Sequence, residues 1–218
     1  MTRVRIDLFL SLDGYAATAE PTADSPMGAD WEALTAAYTA THTFREKMFG
    51  DTSGAGTTGV DEKYASGFFD DIGAEIMGAG MFGLHSFPDD ANWKGWWGDE
   101  PPFHTPVFVL TGTAPRPDIP MDGGTTFRFR NAPITEVLAE AAEAAGGKDV
   151  RVGGGISTAR EFLLAGLVDH LHVMMAPVIL GKGTPLWDGL RGLELTHTVT
   201  TEVAESGTIH VNFDRMSA

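Results

Sequence analysis

Val4, Ile6, Leu8 and Leu10 alternate with polar residues or Phe9. That two-residue period is the mark of a strand with one buried face, and Asp13-Gly14 is a turn pair that ends it. Trp31, Leu34, Tyr38, Thr41, Phe44 and Met48 then recur at helical spacing, with Asp30 in the N-cap place. Residues 50–59 hold four glycines and no large side chain, a composition that predicts a mobile loop. Residues 72–78 read as a short central strand, followed by a turn at Gly78-Ala79-Gly80-Met81-Phe82-Gly83. Residues 85–104 are irregular and rich in tryptophan and proline. Residues 106–111 form a further buried strand with a turn at Gly112, and 125–129 another short one.

In the second half, Ile134, Val137, Leu138, Ala141, Ala142 and Ala145 make one apolar helical stripe, closed by Gly146-Gly147. Val150-Arg151-Val152 is a strand, then come three glycines, then a helix with Thr158 and Glu161 as a capping box and Gly166 as its stop. Residues 167–180 hold a long strand ending at Gly181-Lys182-Gly183. Residues 193–203 and 208–213 flank Glu205-Ser206-Gly207 as an antiparallel hairpin. Strands alternating with helices, then a hairpin, predict an α/β fold: a mixed sheet with a parallel core, flanking helices and a C-terminal antiparallel hairpin. No repeat or linker divides residues 1–218, so a single domain is expected.

Charge and composition narrow the function. Lys plus Arg is 15 against 30 Asp plus Glu, a formal charge of −15, which repels a nucleic-acid backbone. With no cysteine there is no disulfide, thiolate metal site or cysteine nucleophile. The apolar stretch near the start is short and bounded by Asp7 and Asp13, unlike a signal peptide. No run approaches the ~18 apolar residues of a membrane span. A cytoplasmic protein with no membrane or nucleic-acid partner is expected.

The strongest local feature is Gly153-Gly154-Gly155 between a strand and a helix. Such a turn exposes backbone N–H groups where the helix dipole is positive, and missing β-carbons allow close approach, all of which suits a phosphate. A strand-to-helix turn without any ligand has the same sequence. A Rossmann fingerprint fails at Thr158, where the third glycine belongs, and Gly181-Lys182-Gly183-Thr184 lacks the upstream glycine of a P-loop.

Five segments in order carry a resemblance: Ser11-Leu12-Asp13-Gly14, Ile76-Met77-Gly78-x-x-Met81-Phe82, Val107-Phe108-Val109-Leu110-Thr111, Val152-Gly153-Gly154-Gly155, and Pro177-Val178-Ile179-Leu180-Gly181-x-Gly183. Together they resemble the dihydrofolate-reductase-like superfamily, and within it the reductase domain of the bifunctional riboflavin-biosynthesis deaminase-reductase and its stand-alone relatives. The resemblance implies an NADPH-dependent oxidoreductase that passes a hydride to a C=N, C=C or C=O bond of a small, pterin- or pyrimidine-type heterocycle, and a homodimer. It implies that Gly153, Gly154, Gly155, Ile156, Ser157 and Thr158 take the diphosphate of NADP. Met77, Gly78, Ala79 and Met81 would form the second phosphate-side turn. Leu110, Thr111 and Gly112 would border the adenosine, with Arg116 the near candidate for its 2′-phosphate. Asp13 is the candidate catalytic carboxylate, and Ala16 and Ala17 would approach the nicotinamide.

The chain departs from that pattern at Ala79, where relatives carry a phosphate-binding arginine. This departure leaves room for an alternative, a non-catalytic nucleotide- or small-ligand-binding protein on a reductase fold. Asp13 also reads as the first residue of an Asp-Gly turn. Asp30 and Glu32 lie where folate reductases place a pterin-facing acid, but Asp30 is accounted for as a cap. Trp93, Trp96 and Trp97 either roof a planar substrate or bury themselves against the core or a second subunit. His170 and His172 share a strand face with no third ligand evident, so no metal is expected.

Overall fold

A computed structural model describes residues 2–16, 28 and 30–217. In chain order the elements are β1 (Val4–Ser11), α1 (Trp31–Thr39), α2 (His42–Phe49), α3 (Val60–Phe68), β2 (Ile72–Gly78), α4 (Ala79–Phe82), β3 (Pro106–Leu110), β4 (Ile119–Pro120), β5 (Thr126–Arg130), α5 (Ile134–Ala144), β6 (Asp149–Gly154), α6 (Ile156–Leu164), β7 (His170–Ala176), β8 (His197–Val203) and β9 (Ile209–Arg215). They fall into two compact units, one of Met1–Ile6 with Asp71–Val168, the other of Asp7–Asp70 with Asp169–Ala218. Strand β1 gives its first residues to the first unit and the rest to the second.

In the first unit the strand order is β4-β5-β3-β2-β6-β1. The pairs β1/β6, β6/β2, β2/β3 and β3/β5 are all parallel, and only the two-residue β4 runs antiparallel to β5. Parallel strands are covered by helices and therefore run apolar on both faces. Accordingly Ala74, Ile76, Met77, Val107, Phe108, Val109, Val150 and Val152 are fully buried. The stripe on α5 turns Val137 and Ala141 inward. Phe82, Phe127 and Phe129 build an apolar cluster with Met77, Val107 and Val109.

In the second unit the order is β1-β7-β9-β8, with β7/β9 and β9/β8 antiparallel, so the expected hairpin is present. Tyr38, Phe44, Ala65 and Met174 form its apolar cluster, with Phe9 and Phe68 packed against them.

Three local expectations need correction. The single helical stripe from Trp31 to Met48 is two helices, because the Thr41 side chain accepts from the Phe44 amide and restarts the helix there. Asp30 holds the N-cap position of α1 without a side-chain capping bond. The glycine-rich stretch 50–59 is an exposed loop, as its composition implies, anchored where the Thr57 amide donates to the Ala40 carbonyl (2.8 Å) and Arg45 pairs with Asp51. Helix α3, which follows it, has no counterpart in the reading of the sequence. The long strand of 167–180 is shortened to β7, since Pro177 brings no amide to a ladder. Among the described residues no helix is long and apolar enough to cross a membrane.

Candidate functional site

Three adjacent parallel strands of the first unit, β3, β2 and β6, end side by side. Gly78 is in register with Leu110, and Met77 with Gly154. Their carboxyl ends therefore gather the turns at Gly78-Ala79, Thr111-Gly112 and Gly153-Gly154-Gly155. Ligands of open α/β sheets bind at this edge.

Close packing explains Gly153 and Gly154, whereas a β-carbon on Gly155 would meet nothing within 4 Å. Gly154 has φ +125°, a conformation side chains rarely adopt, and a β-carbon there would lie 3.1 Å from the Met81 sulfur. The Gly154–Gly155 peptide is cis. A β-carbon on Gly153 would meet a Glu75 carboxylate oxygen at 3.1 Å. Glu75 and Arg151, buried and opposite each other on β2 and β6, form a two-pronged ion pair, with Arg151 Nε donating to Glu75 Oε2 at 3.1 Å. This cation is engaged by its carboxylate and is not a free partner for an anion.

Helix α6 starts at Ile156, with Gly155 as its N-cap and no side-chain capping bond. The expected capping box at Thr158 and Glu161 is thus overturned. Strand β6 extends to Gly154, and the helix starts three residues earlier than that box requires, which puts Thr158 inside its first turn. The Thr158 hydroxyl faces Gly78 instead. Ile156, Ser157 and Thr158 are the first three helical residues, whose amides have no partner within the helix.

A cleft of about 670 Å³ is lined by two of these turns, through Ala79, Thr111 and Gly112, together with His85, Asp89 and Arg116, whereas Gly153 to Thr158 are not part of its lining. The Thr113 amide donates to Thr111 Oγ1 (3.1 Å), which shapes the turn. Gly112 has open space where its β-carbon would be. Arg116 donates through Nη1 to the Asp90 carbonyl (2.8 Å) and through Nη2 to those of Pro88 (3.1 Å) and Phe87 (3.3 Å). It therefore holds one wall of the cleft in place, while the rest of its guanidinium brings positive charge to that wall. Trp93 stacks on Phe87, Trp97 stacks on Phe127, and Trp93 Nε1 donates to the Phe82 carbonyl. The tryptophan-rich segment is thus packed on its own unit's core.

Asp13 and Ala16 belong to the second unit, and Ala17 lies outside the described residues. The Asp13 carboxylate accepts from the amides of Leu180 (3.2 Å) and Gly181 (2.7 Å). A hydrogen bond from Ser11, and then these amides, hold its carboxyl below the usual carboxylate range. It is an exposed, ionised acceptor that fixes the turn at Leu180-Gly181. Glu32 is exposed on α1.

His170 pairs with Asp214 (2.8 Å). His172 instead reaches Asp7 and His210, and His210 reaches Asp61. Sequence spacing shows none of this, because Asp7, Asp61, His172 and His210 sit on four different elements. Among the described residues no group of three or more histidines and carboxylates is placed to hold a metal ion.

The curated relative "Uncharacterized protein YyaP" of Bacillus subtilis (strain 168) is 34% identical over 65 residues, 30% of this chain and 35% of that protein. The chain thus matches about a third of the length of that relative. Among solved structures, a protein named for riboflavin biosynthesis from Shewanella sp. PV-4 superposes with a TM-score of 0.60 at 19% identity, covering 99% of this chain and 100% of that one. A diaminohydroxyphosphoribosylaminopyrimidine deaminase/5-amino-6-(5-phosphoribosylamino)uracil reductase from Thermotoga maritima gives 0.56 at 15% identity, covering 99% of this chain and 57% of that one. These likenesses concern the fold. The family model of the RibD C-terminal domain matches residues 2–208. The order of the strands, the glycine turn at the end of β6 and this nearly full-length match agree, and the chain belongs to the RibD C-terminal domain family.

Proposed function

We propose that the chain is a reductase dependent on NADPH that acts on a small heterocycle with a reducible C=N, C=C or C=O bond. The observation that carries this reading is the uncapped first turn of α6, preceded by Gly153-Gly154-Gly155, at the same strand ends as the Ala79 and Gly112 turns that line a cleft of about 670 Å³. The residues present fit a dinucleotide. The amides of Ile156, Ser157 and Thr158 suit its diphosphate, and the absent β-carbon of Gly112 leaves room beside the adenosine. Arg116 would place positive charge near a 2′-phosphate. The name of the Thermotoga maritima protein, which includes a uracil reductase, supports the same class.

The cofactor would supply the hydride when bound, and the work of the chain is to bind, orient and exclude water. In this role Asp13 holds the turn at Leu180-Gly181 as a fixed acceptor and does not donate the proton. A homodimer is part of the proposal on grounds of family, and light scattering after size-exclusion chromatography measures it directly.

The test is a titration of NADPH followed by its fluorescence, in wild type and Gly112→Val, with oxidation of NADPH over a panel of pterins, pyrimidines and simple imines. Binding by wild type, loss of binding in the folded variant and turnover of one substrate class are expected. Binding without turnover on any substrate favours the ligand-binding protein. Failure of NADPH to bind wild type refutes the proposal.

A further inference from the structure

The second unit contains a line of four titratable side chains that the proposed reaction does not use. Asp7 on β1, His172 on β7, His210 on β9 and Asp61 in the first turn of α3 are all buried. Asp7 Oδ1 lies 3.1 Å from His172 Nδ1, His172 Nε2 lies 3.0 Å from His210 Nδ1, and His210 Nε2 lies 2.9 Å from Asp61 Oδ1. Tyr64 of α3 covers both rings, its centroid 4.5 Å from that of His172 and 4.1 Å from that of His210. Other groups close the surroundings. Tyr64 Oη donates to Glu202 on β8 (3.2 Å) and accepts from Asn212 on β9 (3.0 Å), Lys63 pairs with Glu202, and the Tyr38 ring of α1 is 6.3 Å from His210.

Counting protons decides what this line can be. Each of the three contacts needs one hydrogen between its two heavy atoms, since two lone pairs at hydrogen-bond distance repel. Neutral rings carry one N–H each, so two neutral histidines between two carboxylates supply only two hydrogens. The contact between the two imidazole nitrogens would then be empty. A third hydrogen can sit on a ring, as one imidazolium flanked by two compensating carboxylates, or on a terminal carboxyl; imidazole is intrinsically the more basic group, so the ring takes it.

We propose that Asp7, His172, His210 and Asp61 form a buried proton-sharing chain with three ring protons, in which His172 is the double donor, and that the third proton docks α3 on its unit in a pH-dependent way. The placement on His172 agrees with the surroundings of His210, whose proton affinity is lowered by burial and by the neighbouring His172, against the opposing pull of Asp61. Tyr64 and Asp61 share α3, so the same helix supplies a stacking ring and the terminal acceptor. Loss of the third proton would leave two imidazole lone pairs facing each other under Tyr64 and loosen that helix first.

The experiment uses the full chain labelled with ¹⁵N. Long-range proton–nitrogen correlation is recorded at about pH 8, where ordinary histidines, with a value near 6.5, are neutral. One ring with both nitrogens protonated, joined to a second with Nδ1 bare, is expected. Hydrogen exchange of the α3 amides, corrected for intrinsic rate, should lose protection through the pH at which that ring proton leaves. In Asp7→Asn, which keeps the shape and removes the charge, the ring should titrate at lower pH. Two neutral rings at that pH, protection of α3 that ignores the titration, or an unchanged titration in Asp7→Asn would each overturn the proposal. Wild type alone decides the first two, should the variant fail to fold.

Discussion

A methyl group on Gly78 would stand 2.5 Å from the hydroxyl oxygen of Thr158. The turn after β2 and the first turn of α6 are thus fitted to each other at the very edge where the dinucleotide is proposed to bind. Gly78→Ala should force the Thr158 hydroxyl aside and cost about 1–3 kcal/mol, the usual range for added volume in a packed place. Thr158→Ala removes the obstructing oxygen and leaves the next threonine atom at 3.7 Å. The double variant should therefore be more stable than the sum of the two changes predicts, by about 0.5 kcal/mol or more. Urea unfolding of the four proteins measures this; strict additivity would show that the two residues do not compete for space.

Ala79 opens α4 and lines the cleft, in the place where relatives of the resembled superfamily carry arginine. Ala79→Arg should tighten NADPH by about tenfold or more, since a charge-assisted hydrogen bond contributes roughly 1.5–3 kcal/mol. The gain should shrink with added salt. Fluorescence titration at low and high ionic strength checks both statements, and an unchanged affinity would mean that no phosphate lies within reach of position 79.

The acid limb of stability should belong to His210. Burial is the first cause that lowers its proton affinity, followed by the repulsion of His172. A histidine with a depressed value stays neutral in the folded chain, while the unfolded chain takes up the proton near pH 6.5. Its contribution is therefore complete above about pH 6.5 and declines as pH falls below it, because the unfolded state then binds more protons. Denaturant midpoints measured across this range should fall with pH in wild type and more gently in His210→Gln, even though the variant starts lower. Parallel slopes would assign the acid limb to other groups.

The patterns with short periods determined much about this protein. The alternation in β1, the apolar runs of β2 and β3, the stripe of α5 and the hairpin of β8 and β9 are each written in neighbouring residues, because burial of one face is a local requirement repeated along the chain. The glycines at 153–155 were legible for the same reason: only glycine permits the φ of Gly154 and the approach of Met81. The break between α1 and α2 was not, since it rests on one hydroxyl of Thr41, and α3 was hidden because its amphipathic face is largely polar. Tertiary structure alone decided that Arg116 braces a wall of carbonyls and that Thr158 meets Gly78 and does not cap α6. It also decided that Asp7, Asp61, His172 and His210 form one line. Strand register and helix docking bring together groups as far apart in sequence as Asp7 and His172, and no local pattern encodes a hydrogen bond whose partner lies on another element.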